Sequence, residues 1–112
     1  MKNILFVCSA NKQRSKTAED YFATKYTNYN FDSVGTNQKI CNKEGTNFIT
    51  EEHLIWADIV YVMEQRHKKQ INEHTERRYL HKITVLNVPD RFKYYQKELI
   101  EILEEKIQLS KN

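Results

Sequence analysis

A chain of 112 residues with 29% charged and 12% aromatic side chains is neither a disordered tail nor a membrane protein, and it suits one compact domain over 1–112. Its formal net charge of +3 favours phosphate-bearing partners but is too small to mark a nucleic-acid binder. Two cysteines, Cys8 and Cys41, with no CxxC, exclude a secreted disulfide framework, and the short apolar run Ile4 to Cys8 excludes a signal-peptide core or a membrane span, so the expected location is cytoplasmic and reducing.

Residues 3–8, NILFVC, form a continuous apolar run, the pattern of a strand buried on both faces. Residues 15–27 predict a helix, with Ala18, Tyr21 and Phe22 at helical spacing and Lys25 and Tyr26 extending the stripe. Residues 31–35, FDSVG, predict a second strand that stops at Gly35. Residues 36–49 are polar, with Gly45 and three asparagines, and predict a loop. Thr50 then predicts an N-cap, with Glu51 and Glu52 in a first turn where the helix dipole favours negative charge, ahead of Leu54, Ile55 and Trp56. Residues 58–63, DIVYVM, read as a third buried strand. Residues 64–75 read as a polar helix with Met63, His67 and Ile71 at helical spacing. Residues 83–88, ITVLNV, predict the fourth strand, ended by Pro89, which has no N–H for a ladder. From about Tyr94 to Leu109, the positions of Leu99, Ile102, Leu103, Lys106 and Ile107 predict a closing amphipathic helix. No repeat, linker or low-complexity segment interrupts this order.

Four apolar strands alternating with helices predict an α/β fold: a four-stranded parallel sheet with helices on both faces. In such sheets ligands bind beyond the C-terminal strand ends. Cys8 sits at one such end and Asp90 just past another.

Taken alone, a cysteine ending a buried strand is a small core hydrophobe. The residues after Cys8 point elsewhere, because CSANKQRS places Arg14 and Ser15 beyond five intervening residues. An Arg-Ser pair at that offset arises by chance roughly once in a few hundred cysteines. Ser9, Ala10, Asn11, Lys12 and Gln13 can curl into a cradle with backbone N–H groups pointing inward, and the N-terminus of the next helix completes an anion site. Arg14 can close the cradle and grip two phosphoryl oxygens. The same positive field favours the thiolate of Cys8, the nucleophilic form. Ser15 can donate its hydroxyl to that sulfur, and Asn11 tolerates the left-handed backbone that the tight middle of the loop needs.

These residues resemble the signature of the low-molecular-weight protein tyrosine phosphatases: cysteine, five residues, arginine, then serine or threonine at the end of the first strand. SVGT at 33–36, ADIVYVMEQRHKKQI at 57–71 and VPDRF at 88–92 are similar to later segments of that family, and the length is most like a compact bacterial branch. The resemblance implies the parallel fold above, a phosphocysteine intermediate, catalytic Cys8, Arg14 and Asp90, and substrate contacts from Ser9, Ala10, Asn11, Lys12, Gln13, Ser15 and Phe92. Ala10 stands where the family usually has glycine, which implies strain if that position needs a positive φ. Gln13 and Lys16 replace a common cysteine and proline. Asp90 is followed by Arg91, Phe92 and Lys93 rather than Pro-Tyr-Tyr, and the 36–56 region is shorter than usual.

Transfer of phosphate to a thiolate needs a proton for the leaving oxygen, then an activated water to release the phosphocysteine. Asp90 is the candidate acid, its alternative role being an N-cap for the last helix. Asp32 and Asp58 are lesser candidates at a strand entry and a strand start. Phe92, or instead Tyr94 or Tyr95, is the candidate wall of a substrate slot, with a core role as the alternative for each. No metal or other cofactor is expected: Arg14, loop amides and helix dipole supply the positive charge, and His53, His67, His74 and His81 lack ligand spacing. The clusters RHKK at 66–69 and RR at 77–78 read as a solvated basic face, or as a dock for an acidic phosphoprotein.

The expected activity is a cysteine-dependent phosphomonoester hydrolase, a protein tyrosine phosphatase acting on a phosphorylated protein or small phosphomonoester, with no nucleic acid and no membrane involved. Two alternatives stand beside it. One is an arsenate reductase-like redox enzyme, which needs a cysteine relay; here only Cys41 remains, and it can protect Cys8 by a reversible disulfide. The other is a phosphate-binding module without turnover.

Overall fold

The computed structural model describes residues 1–110, so the last two positions of the 1–112 expectation lie outside the described residues. The strands are β1 (Lys2–Cys8), β2 (Tyr29–Gly35), β3 (Ile59–Val62) and β4 (Ile83–Val85). They form one sheet in the order β2-β1-β3-β4, and every neighbouring pair is parallel. The helices are α1 (Arg14–Lys25), α2 (Gln38–Glu44), α3 (Glu51–Trp56), α4 (Gln65–Thr75) and α5 (Lys97–Lys106), with a 3₁₀ turn at Leu80–Lys82.

The unbroken apolar run of β1 is explained by its central place. Alternate side chains enter opposite cores. Ile4, Phe6 and Cys8 join Ala18 and Phe22 of α1 and Leu99 and Leu103 of α5. Leu5 and Val7 face the other way, against Leu54 of α3 and Ile71 of α4. Each face thus takes its helices from both halves of the chain.

The chain leaves β1 toward β2 on one side and later returns as β3 on the other. Beyond the C-terminal ends of β1 and β3 lies the crevice that such a reversal opens. Cys8 ends β1 there, and Glu64 comes just after β3 there.

Beyond shifts of one or two residues elsewhere, three segments differ from the sequence-based expectation. The 36–49 segment, expected to be a loop, contains α2. Asn37 caps it by accepting from the Ile40 amide at 3.0 Å, and Gly45 ends it at φ 70°. Its seven residues bury only Cys41, too few for a visible periodicity. The fourth strand ends at Val85, before Pro89, because Asn87 takes φ 57°. Pairing nonetheless continues irregularly, from the Leu86 amide to the Val62 carbonyl and from the Val88 amide to the Met63 carbonyl. The last helix starts at Lys97 rather than Tyr94, since Tyr95 has φ 60°. Met63, expected in the stripe of α4, instead packs with Phe6 and Phe22 on the opposite face.

Candidate active site

Residues 9–13 link the end of β1 to the start of α1. The turn is pinned from its centre. Asn11 adopts φ 53°, and its buried amide donates to the Ser15 and Ser33 hydroxyls at 3.0 and 2.8 Å while accepting from the Asn47 amide at 3.2 Å. Ala10 keeps a negative φ, so the strain implied by its replacing glycine does not arise. Among the described residues, no protein acceptor meets the backbone N–H groups of residues 10–15. A ring of free donors at the start of a helix with no acidic residue in its first turn is an anion cradle.

The underside of the cradle depends on Gly35. A Cβ there would lie 2.5 Å from the Ser9 carbonyl oxygen and 2.6 Å from the Cys41 sulfur. The Thr36 and Asn37 amides then donate to the Cys8 and Ser9 carbonyls. Cys41 is buried, its sulfur 3.7 Å from the Ala10 carbonyl oxygen and 3.8 Å from that of Ser9. Thr46 donates to the Ala10 carbonyl at 2.6 Å, and Lys12 reaches Glu44 at 3.4 Å. Both cysteines are free thiols.

At the floor, the Cys8 sulfur lies 2.9 Å from the Ser15 hydroxyl. Arg14 is only 2% exposed. One terminal nitrogen donates to Glu64 Oε2 at 2.5 Å and to the Val88 carbonyl at 2.8 Å, and the other lies 3.7 Å from Asp90 Oδ1. Hydrogen bonds from Arg66 and Arg14 hold the Glu64 carboxyl at about 2, so it is ionised at neutral pH.

His67 joins α4 to the cradle. The Glu64 amide can only donate, and it meets Nδ1 at 3.1 Å, so Nδ1 carries the lone pair. The proton therefore sits on Nε2, which donates to the Ser9 hydroxyl at 3.0 Å. Burial, reinforced by the charges of Arg14 and Arg66, pushes His67 down to about 4. It is a neutral strut.

The expected site residues are thus largely gathered. Cys8, Arg14 and Ser15 stand around the cradle formed by Ser9, Ala10, Asn11, Lys12 and Gln13, and Asp90 stands at its mouth with its side chain 59% exposed. Phe92 does not wall a slot. It is 3% exposed and packs in the core with Leu99 and Leu103, because the segment after Asp90 needs an apolar anchor against the sheet. Asp32 flanks His53, and Asp58 accepts from the Asn3 amide at the opposite end of the sheet, so neither approaches Cys8. Glu64, Arg66, His67, Ser33 and Asn47 were not anticipated. The spacing of Glu64 and His67 was the available signal, since the two form a capping box at the start of α4. No group of His, Cys, Asp and Glu among the described residues is arranged to hold a metal ion.

No family model matches the sequence, and no curated protein matches it. Solved structures do. A mutant of YwlE from Bacillus subtilis is 24% identical, with 93% of each chain covered and a TM-score of 0.74. The YwlE arginine phosphatase of Geobacillus stearothermophilus is 23% identical over 95% of this chain and 92% of that one, at a TM-score of 0.72. A low molecular weight protein tyrosine phosphatase from Streptococcus pyogenes is 20% identical over 96% and 95%, at 0.71. The fold is that of the low molecular weight protein tyrosine phosphatases.

Proposed function

We propose that the chain is a cysteine-dependent phosphomonoester hydrolase, acting as a protein tyrosine phosphatase on phosphorylated proteins or small phosphomonoesters. The observation that carries this reading is the Cys8 sulfur at 2.9 Å from the Ser15 hydroxyl, at the floor of a cradle of unpaired amides that Arg14 flanks. A phosphoryl group placed there receives backbone N–H groups on its oxygens and the positive end of α1 beneath it. The Cys8 thiolate attacks phosphorus, and the S–P bond forms as the P–O bond to the leaving group breaks. Asp90, protonated, gives its proton to the departing oxygen. Water then attacks the phosphocysteine, Asp90 takes a proton back, and inorganic phosphate leaves with the thiolate restored. Ser15 donates to the sulfur as it departs. Glu64 holds Arg14, and His67 holds Ser9, so both act as positioning residues.

Turnover of p-nitrophenyl phosphate tests this reading. It should survive EDTA and disappear in Cys8→Ser, and unchanged turnover in Cys8→Ser refutes it.

A phosphoarginine substrate is the second reading. The exposed carboxylate of Asp90 at the mouth suits a cationic leaving group, and of the three aromatics considered for a phosphotyrosine slot Phe92 is buried while Tyr94 and Tyr95 are exposed. Comparing phosphotyrosine and phosphoarginine peptides decides between them. A thiol relay is disfavoured, because the only second thiol, Cys41, is fully buried. Free thiols suit a reducing compartment such as the cytoplasm, and no helix among the described residues is long and apolar enough to cross a membrane.

A further inference from the structure

Asp90 rides on a short arch. Val88 is fully buried and its amide bonds to the Met63 carbonyl, while Phe92 is anchored in the core. Between these anchors, residues 89–91 are exposed and belong to no helix or strand. The Asp90 carboxyl makes no hydrogen bond with any described residue, so ordinary bonding does not hold it in place.

Two guanidinium groups flank it instead. Oδ1 lies 3.7 Å from Arg14, and Oδ2 lies 3.8 Å from Arg66. Glu64 Oε2 bridges the same two arginines, at 2.5 Å to Arg14 and 2.9 Å to Arg66. The four side chains close a ring in which each charge stands between two of the opposite sign. Arg14 is sunk beside the cradle, whereas the Arg66 side chain is 51% exposed, on the first turn of α4. The hydrogen bond to Glu64 raises the already high pKa of Arg66, with smaller contributions from the charges of Asp90 and Cys8. Arg66 is thus placed at the mouth of the site, on the side of the carboxyl that Arg14 does not reach.

We propose that Arg66 is the positioning residue for Asp90, holding its carboxyl over the mouth of the cradle from the side opposite Arg14. This rests on the phosphatase reading above. The gaps of 3.7 and 3.8 Å exceed a hydrogen bond, so charge steers the ionised carboxylate over the cradle while its oxygens stay free to take up a proton and hand it to a leaving oxygen. That proton goes to the oxygen as the P–O bond breaks. Arg66 transfers nothing.

Arg66→Ala, Arg66→Lys, Asp90→Asn and the double variant Arg66→Ala/Asp90→Asn test the assignment. The substrates are p-nitrophenyl phosphate and phenyl phosphate, whose poorer leaving group depends more on the acid. Arg66→Ala should lower kcat on phenyl phosphate by about tenfold and on p-nitrophenyl phosphate by less, as expected of impaired acid catalysis. KM and competitive inhibition by inorganic phosphate should stay within about twofold. Arg66→Lys should recover part of the loss. In the Asp90→Asn background, removing Arg66 should cost no more than about twofold, since its target is gone.

An equal loss in that background would mean that Arg66 acts through Glu64 and Arg14, or directly on the phosphate, and would overturn the proposal. So would an unchanged kcat, or phosphate inhibition weakened in step with turnover. Should wild type show no Cys8-dependent turnover, the phosphatase reading fails by itself. Amide hydrogen exchange over 88–92 then carries the positioning claim: Arg66→Ala should accelerate it, and unchanged exchange refutes it.

Discussion

Glu64→Gln removes one negative charge from the centre of the ring formed with Arg14, Arg66 and Asp90, and it keeps an oxygen for the start of α4. The hydrogen bonds from Arg66 and Arg14 carry the Glu64 carboxyl from 4.5 down to about 2. At about 1.4 kcal/mol per tenfold, that difference is worth about 3 kcal/mol of folding stability at neutral pH. Solvent screening at a side chain that is 29% exposed trims this to about 2 kcal/mol. Its sign fixes the pH window. A depressed folded pKa stabilises wherever the unfolded carboxyl is ionised, so the contribution is complete above about 4.5 and is lost as pH falls toward about 2. The Glu64→Gln protein should therefore be about 2 kcal/mol less stable than wild type at pH 7, by urea denaturation with unchanged slope. The gap should close steadily between pH 4.5 and about 2. The substitution also removes the nearby group that most favours a charged His67, so His67 stays neutral in both proteins over the upper part of that window. A gap that persists unchanged at about pH 2 would show that Glu64 acts through packing or capping alone, and would refute the charge argument.

His67 titrates the same way in a higher window. Its folded pKa of about 4 lies below its ordinary 6.5, so stability should fall as pH drops from 6.5 to 4, and His67→Gln should flatten that part of the wild-type curve. Gly35→Ala should displace the 9–10 backbone, since the added carbon would meet the Ser9 carbonyl at 2.5 Å. A loss of about 1–3 kcal/mol by denaturation, with weakened binding of inorganic phosphate by titration calorimetry, is the expected pair of results.

The chain determined much of this by local pattern. The run from Ile4 to Cys8 is apolar on both alternations, and only a central strand with cores above and below it accommodates that. Cys8, Arg14 and Ser15 lie within one strand-to-helix turn, so the chain's own connectivity brings them close together. Asn11 at φ 53° is likewise a preference of the residue itself. Short range was also where the pattern failed, in α2, because seven residues with one buried side chain leave no periodicity to read.

The tertiary structure decided who stands opposite the cradle. Glu64 lies 50 residues from Arg14 and His67 lies 58 from Ser9, and neither separation carries a signal in a single sequence. Their arrival comes from β3 lying beside β1, which sets the start of α4 against the loop after Cys8. Folding likewise chose between two readings of Phe92: the side chain suited either a slot or a core, and the apolar surface beneath the 88–92 arch drew it inward. Burial then leaves His67 neutral, while hydrogen bonds from Arg66 and Arg14 keep Glu64, at the N-cap of the same helix, ionised against that burial.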